Sequence, residues 1–210
     1  MKTIILVRHG QSETNVQKVF TGQIDAPLTE LGRKQAQLMA EYVDQYHVDK
    51  IYVSPLQRAV DTANAIAQRQ GCMTVKCDAL MEINAGAWQG LSFEEIGERF
   101  PRSYANWRAD IGAAAPENGE TCAQLYTRVT HLFEELLHGE VESFCLVAHA
   151  TPIRMIESYI SGRGVAAAQE IPWVPNASVT VYRYDGDFHT VVQGACDFLG
   201  ELQTNLPKSI

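Results

Sequence analysis

The chain has no long apolar run among its 210 residues. The stretches IILV at 4–7 and FCLVA at 144–148 fall far short of the roughly 18 residues a membrane span needs. MKTIILV is not expected to be a secretory leader: it carries one lysine and a short apolar run, which Arg8-His9 breaks where a small-residue cleavage site would stand. These absences predict a soluble, cytoplasmic protein with no membrane partner. Internal repeats, low-complexity tracts and linkers are absent too, so one domain over 1–210 is expected. Cysteine is sparse and unpaired in pattern. Cys72, Cys77, Cys122, Cys145 and Cys196 are odd in number, scattered, and without zinc-site spacing. Reduced, mostly buried thiols and no metal follow. Basic charge is in deficit, with 17 Lys and Arg against 25 Asp and Glu, which speaks against nucleic acid as a partner.

The same deficit does not exclude a small anionic substrate. Surface charge is screened over about 8 Å at physiological salt. One guanidinium about 4 Å from a phosphate oxygen gives about 4 kcal/mol at an effective dielectric of 20. A few placed arginines therefore outweigh the global field.

What is present is an alternation of strand and helix signals. Short β-rich runs at Thr3–Val7, Lys50–Val53, Met73–Cys77 and Ser143–Ala148 read as strands. Between them, Thr29 reads as an N-cap ahead of a helix with Leu31, Leu38, Met39, Tyr42, Val43 and Tyr46 on one face. Further helices are expected at Leu56–Arg69, from a capping box at Ser92–Glu95, at Glu120–Leu137 and at Pro152–Ile160. Pro101 to Pro116 reads as irregular chain. Ser178–Tyr184 and Phe188–Gln193 alternate around Asp185-Gly186 and predict a hairpin. The expected fold is α/β: a three-layer α/β/α sandwich with a mostly parallel sheet and an antiparallel part from the hairpin.

Ligands of such sheets bind beyond the carboxyl ends of the strands. Three clusters fall there: Arg8-His9-Gly10, Ser54-Pro55 and His149-Ala150-Thr151. A lone histidine at a strand end is usually structural. His9 is not alone, because Arg8 adds a permanent cation with a planar donor fork. Gly10 allows close ligand approach or positive φ, and Gln11, Ser12, Thr14 and Asn15 add polar groups. His149 repeats the pattern at a second strand end. Arg58 stands near a helix N-terminus, where a cation is disfavoured, so it is either a solvated surface arginine or an anion ligand. Glu82, in MEINAGAW, is either solvent-facing or catalytic.

In order, LVRHGQSETN, FTGQIDAPLTELGRKQA, SPLQRAVDTA, MEINAGAWQG, PENGET and VAHATPIR resemble the histidine phosphatase (phosphoglycerate mutase-like) superfamily, from Thr3 to about Asn176. The resemblance implies a phosphoglycerate mutase-like fold in which His9 is the nucleophile that becomes phosphorylated. It implies a phosphate pocket of Arg8, Arg58 and His149, with contacts from Gln11, Ser12, Asn15, Thr21, Gly22 and Ala150. Glu82 matches the general acid and base. No cofactor or metal is implied, and the partner is a small phosphorylated metabolite. Here the second histidine is followed by Ala150, where the family usually has glycine, and preceded by Ala148, where serine is common.

Family members divide between hydrolases and cofactor-dependent mutases. The lid-like insert at about 84–116 is short. It offers Arg99, Arg102 and Arg108 but no consecutive arginine pair of the mutase kind. Its aromatics, Trp88, Phe93, Phe100, Tyr104 and Trp107, either face an apolar leaving group or pack the insert on the body. Block MEINAGAWQGLSFEEI is similar to that of small-molecule phosphatases. Phosphatase activity through a phosphohistidine intermediate is therefore expected. A phosphoglycerate mutase is the alternative. Further readings are a non-catalytic phospho-ligand binder, which predicts loss of His9 or Glu82, and a metal hydrolase using His9, His149 and Glu82.

Overall fold

A computed structural model describes residues 1–112 and 115–204. Residues 113–114 of the expected insert and the end of the chain lie outside the described residues. Six strands form one sheet in the order β3-β2-β4-β1-β5-β6. They are β1 (Lys2–Arg8), β2 (Lys50–Val53), β3 (Met73–Lys76), β4 (Ser143–Ala148), β5 (Val179–Tyr184) and β6 (Phe188–Ala195). Pairs β1–β4, β4–β2 and β2–β3 are parallel, whereas β5 runs antiparallel to β1 and β6 to β5. The mostly parallel sheet with an antiparallel hairpin edge is as expected.

Side chains alternate across the central strands and so build two cores. Ile5, Val7, Ile51, Val53, Cys145 and Val147 point to one face. There they meet α2 (Glu30–Val43) and α3 (Gln57–Gln70). Ile4, Leu6, Phe144 and Leu146 point to the other face. There they meet α6 (Cys122–His138) and α7 (Ala150–Ile160). This is the three-layer α/β/α sandwich.

Some local readings are corrected. α2 buries Gly32, Gln35, Ala36, Met39, Ala40 and Val43; Leu31, Leu38, Tyr42 and Tyr46 only flank that face. Small residues let α2 approach α3 and the sheet closely, which an apolar-only count overlooks. A short α1 (Glu13–Gln17) follows a capping box at Ser12 and Asn15. After α4 (Phe93–Arg99), Pro101–Ala109 is helical (α5) rather than irregular. Pro101 sits in the first turn, where its missing N–H costs nothing. β5 does not alternate: Val179 to Tyr182 are all buried, since the strand lies between β1 and β6 with both faces covered. Of the cysteines, Cys122 and Cys145 are buried and the other three are half-buried.

The insert aromatics pack the segment on the body. Phe20 meets Trp88, Phe93 and Trp107 edge-on at 5.7, 6.0 and 5.4 Å. Trp88 is 0% and Trp107 6% exposed, so neither ring is free to line a leaving-group site. Among the described residues, no helix is long and apolar enough to cross a membrane.

Candidate active site

The sheet order sets up the site. β1 exits toward α2 on one face, and β4, beside it, exits toward α7 on the other. The crevice opens between neighbouring parallel strands whose connections diverge in this way. Arg8 is in register with Ala148, and the His9 N–H donates to the Ala148 carbonyl at 3.1 Å. His9 and His149 therefore stand level. Their rings lie 5.0 Å apart, centroid to centroid, at 60°. On the other flank of β4, the Ser54 N–H donates to the Val147 carbonyl, so Ser54 ends β2 at the same height.

His9 is 4% exposed. Its Nδ1 is 2.7 Å from the Gly10 carbonyl. A carbonyl only accepts, so Nδ1 carries the proton and Nε2 keeps its lone pair. Burial, then Arg58 and Arg8, hold the imidazolium form of His9 well below the usual histidine range. Burial likewise lowers His149, with Arg58 adding to it. Both rings are neutral near pH 7.

The arginines are not surface residues. Arg58 is 1% exposed, which removes the solvated reading. Its Nε donates to His149 Nδ1 at 3.2 Å, its Nη1 to the Ile24 carbonyl at 2.7 Å and its Nη2 to the Gly22 carbonyl at 2.9 Å. Arg58 lies in the first turn of α3, whose N-cap, Leu56, offers no side-chain cap. Asp25 takes that place, accepting from the Gln57 N–H at 2.7 Å, and its charge favours the Arg58 cation. Arg8 Nη1 donates to the Val174 carbonyl at 2.5 Å. Its buried Nε has no partner among the described residues, which leaves a donor for an anion. Burial lowers each guanidinium to about 10, with Glu82 opposing; both stay charged at neutral pH.

Glu82 is half-buried. Its Oε1 accepts from the Ile83 N–H at 2.8 Å, and its Oε2 from the Thr151 N–H at 3.4 Å. The carboxyl group thus stands at the N-terminus of α7, one residue past Ala150 and two past His149.

The polar residues expected to touch phosphate divide. Gly22, at φ 51°, turns its carbonyl to Arg58. Asn15 Oδ1 lies 3.2 Å from Asn176 Nδ2, which also donates to the His9 carbonyl. Ser12 is 0% exposed and spends its hydroxyl on the α1 cap and on Thr14; it is a scaffold rather than a surface for ligand. The Thr21 hydroxyl donates to Thr14, and Gln11 Oε1 accepts from Thr29. Ala150 opens α7 without positive φ, so the usual glycine is not needed here. Gly10 is also not at positive φ. A Cβ there would lie 2.5 Å from the Gly32 carbonyl oxygen, so its smallness serves packing on α2, not ligand approach.

Sequence reasoning did not place Ser54, Thr62 or Asn176 among the site residues. The Ser54 Oγ lies 2.7 Å from His149 Nε2. Thr62 Oγ1 accepts from the Gly10 N–H and donates to the Arg58 carbonyl. Ser54 had a signal, since it closes a strand beside the other clusters. Thr62 and Asn176 had none. Among the described residues, no group of three or more His, Cys, Asp or Glu is arranged to hold a metal ion.

Comparison with known proteins bears on the family and the fold. A sequence model of the histidine phosphatase superfamily (branch 1) matches residues 4–196. Phosphoserine phosphatase 1 of Hydrogenobacter thermophilus is 34% identical over 163 residues, 77% of each chain. A 2,3-bisphosphoglycerate-dependent phosphoglycerate mutase of Cytophaga hutchinsonii is 31% identical, over 76% of this chain and 78% of its own. The mycobacterial glucosyl-3-phosphoglycerate phosphatase solved with VO3 superposes with a TM-score of 0.86 at 31% identity, over 93% of this chain and 100% of its own. The chain belongs to the histidine phosphatase superfamily.

Proposed function

We propose that this site hydrolyses small phosphate monoesters through a phosphohistidine at position 9. One observation carries the reading: a neutral His9, with its lone pair on Nε2, lies 5.0 Å from His149 and beside two buried guanidiniums. In the first step His9 Nε2 attacks phosphorus as the P–O bond to the leaving group breaks. The carboxyl of Glu82 gives its proton to the departing alkoxide. In the second step Glu82, now a carboxylate, takes a proton from water, whose oxygen attacks phosphorus. The P–N bond breaks, inorganic phosphate leaves, and Nε2 regains its lone pair. Arg8 and Arg58 neutralise charge on the equatorial oxygens in both steps, the main service a protein offers phosphoryl transfer.

Both named phosphatase relatives act on phosphate esters of small molecules, and the same substrate class is proposed here. The 84–116 insert is read as the lid over that substrate, and a cytoplasmic setting goes with it. The mutase relative supports the second reading. Against it, Arg99, Arg102 and Arg108 are all exposed and form no consecutive pair.

The test is a screen of phosphate monoesters with His9→Ala beside the parent. The parent should release inorganic phosphate and carry an acid-labile label, as a phosphoramidate does. His9→Ala should do neither. Acid-stable label, or turnover by the variant, would contradict the assignment. Isomerisation of 3-phosphoglycerate with 2,3-bisphosphoglycerate, without phosphate release, would reverse the order of the two readings.

A further inference from the structure

Both ring nitrogens of His149 are engaged in this structure. Arg58 Nε donates to Nδ1 at 3.2 Å, and a guanidinium cannot accept. Nδ1 therefore holds a lone pair, and the proton of the neutral ring is on Nε2, facing the Ser54 oxygen at 2.7 Å. Ser54 and His149 are both 0% exposed. The Leu56 N–H also points to the Ser54 oxygen, at 3.4 Å. The hydroxyl thus accepts twice, and its own hydrogen has no acceptor among the described residues.

The unprotonated, non-bridging oxygens of a phosphate monoester dianion only accept. With Nε2 held by Ser54, the nitrogen left to meet an anion is Nδ1, and it has no proton to offer. Protonating the whole ring is opposed by burial and by both arginines. We propose that Ser54 is a positioning residue whose hydroxyl lets His149 exchange tautomers as a phosphoryl group binds. The ring gives up the Nε2 proton and gains one at Nδ1, with water carrying the exchange, so its charge does not change. Ser54 then turns from acceptor to donor, and its hydroxyl hydrogen pairs with the Nε2 lone pair. Nδ1–H faces the anion, and Arg58 Nε is released to it. Serine suits this post because a hydroxyl both donates and accepts. The inference rests on the phosphatase reading, since it takes the anion to sit between the two histidines.

The experiment is 15N NMR of histidine-labelled protein titrated with inorganic phosphate, with binding followed separately by 31P NMR and His149 assigned by its loss in His149→Gln. Without phosphate, Nδ1 should give a pyridine-type and Nε2 a pyrrole-type resonance; at saturation the two types should swap. Two pyrrole-type resonances, meaning imidazolium, or an unchanged pattern with phosphate bound, overturns the proposal. Absence of any phosphate binding overturns the phosphatase reading and this proposal together. Ser54→Ala should weaken phosphate about 10-fold, the order expected for one buried nitrogen left unpaired, and Ser54→Thr should restore binding. Parental affinity and a parental swap in Ser54→Ala would also sink it.

Discussion

Gly32→Ala separates local propensity from tertiary packing, because the two predict opposite signs. Gly32 lies in the first turns of α2, with an ordinary negative φ. Helix propensity alone says that alanine there stabilises, by at most about 1 kcal/mol. The structure says otherwise. A Cβ on Gly32 would lie 2.0 Å from the Gln11 carbonyl oxygen and 2.9 Å from the Gln11 nitrogen. Both are backbone atoms and cannot swing aside. Gln11 is also pinned: its carbonyl accepts from the Thr29 N–H at 2.9 Å, and its N–H donates to Gln35 Oε1 at 2.8 Å. Relief means shifting the loop that carries His9 and Gly10 and straining both bonds. Overpacking of this kind costs about 3 kcal/mol. The net loss is then about 2 kcal/mol, and at about 2–4 °C per kcal/mol for a chain of this size, Tm should fall by about 4–8 °C. Because His9 moves with the loop, kcat/KM should fall by about 10²-fold, as a misplacement of about 1 Å costs in general. Thermal unfolding followed by circular dichroism, with steady-state phosphate release on the same samples, checks both. A raised Tm with normal kcat/KM would refute the packing argument.

Two other perturbations follow from the site and its surroundings. Arg58→Lys keeps the charge but replaces a fork that reaches His149, Ile24 and Gly22 at once with a single ammonium; kcat/KM should drop about 10²–10³-fold, the range for losing one preorganised donor to the transition state, and a loss below about 5-fold in initial-rate assays would show that charge alone suffices. The second concerns acid stability. His9 and His149 have lowered folded values, so below their ordinary 6.5 the unfolded chain binds up to two more protons and stability falls as pH falls. Glu157, buried on α7 and held at Oε1 by the Gln193 amide, is pushed up by burial from 4.5 to about 7. Between those values the folded chain binds the extra proton, so Glu157 contributes the opposite slope, losing stability as pH rises. Glu157→Gln removes that counterweight, and the rise of stability with pH between 4.5 and 7 should steepen by about 1.4 kcal/mol per pH unit. Urea titrations across that range measure it, and parallel curves for variant and parent would show that Glu157 does not titrate there.

Arg8, His9 and His149 were legible because each stands at the end of a β-rich run, whereas Arg58, on α3, and Glu82, in a loop, carried no such local signal and were placed by the family resemblance. A cation and a histidine at a strand tip have no place in a core, and Arg8-His9 and His149 are both found at one. The central strands β1, β2 and β4 were legible because parallel, doubly covered strands are short and continuously apolar. What was read less well has a common cause. α5 was missed because its apolar residues serve a cluster around Phe20, remote in sequence, and leave no clean stripe. The buried face of α2 was misjudged because glycine and alanine carry no hydropathy signal but decide how near two backbones come. Gly10 was given a ligand to approach, when the group against it is the Gly32 carbonyl.

The sequence by itself determined the central strands and the longer helices, the α/β class and the residue types able to hold and attack a phosphoryl group, since periodicity and chemical type are local properties. Only the tertiary structure decided that β4 lies between β1 and β2, which aligns Ser54, His149 and His9 in one row. It alone decided that Arg58 is buried and that His9 presents Nε2. The pairings of β4 with β1 and β2, and the burial of Arg58 against His149, join segments more than 90 residues apart, and no local pattern encodes which distant neighbour a side chain will meet.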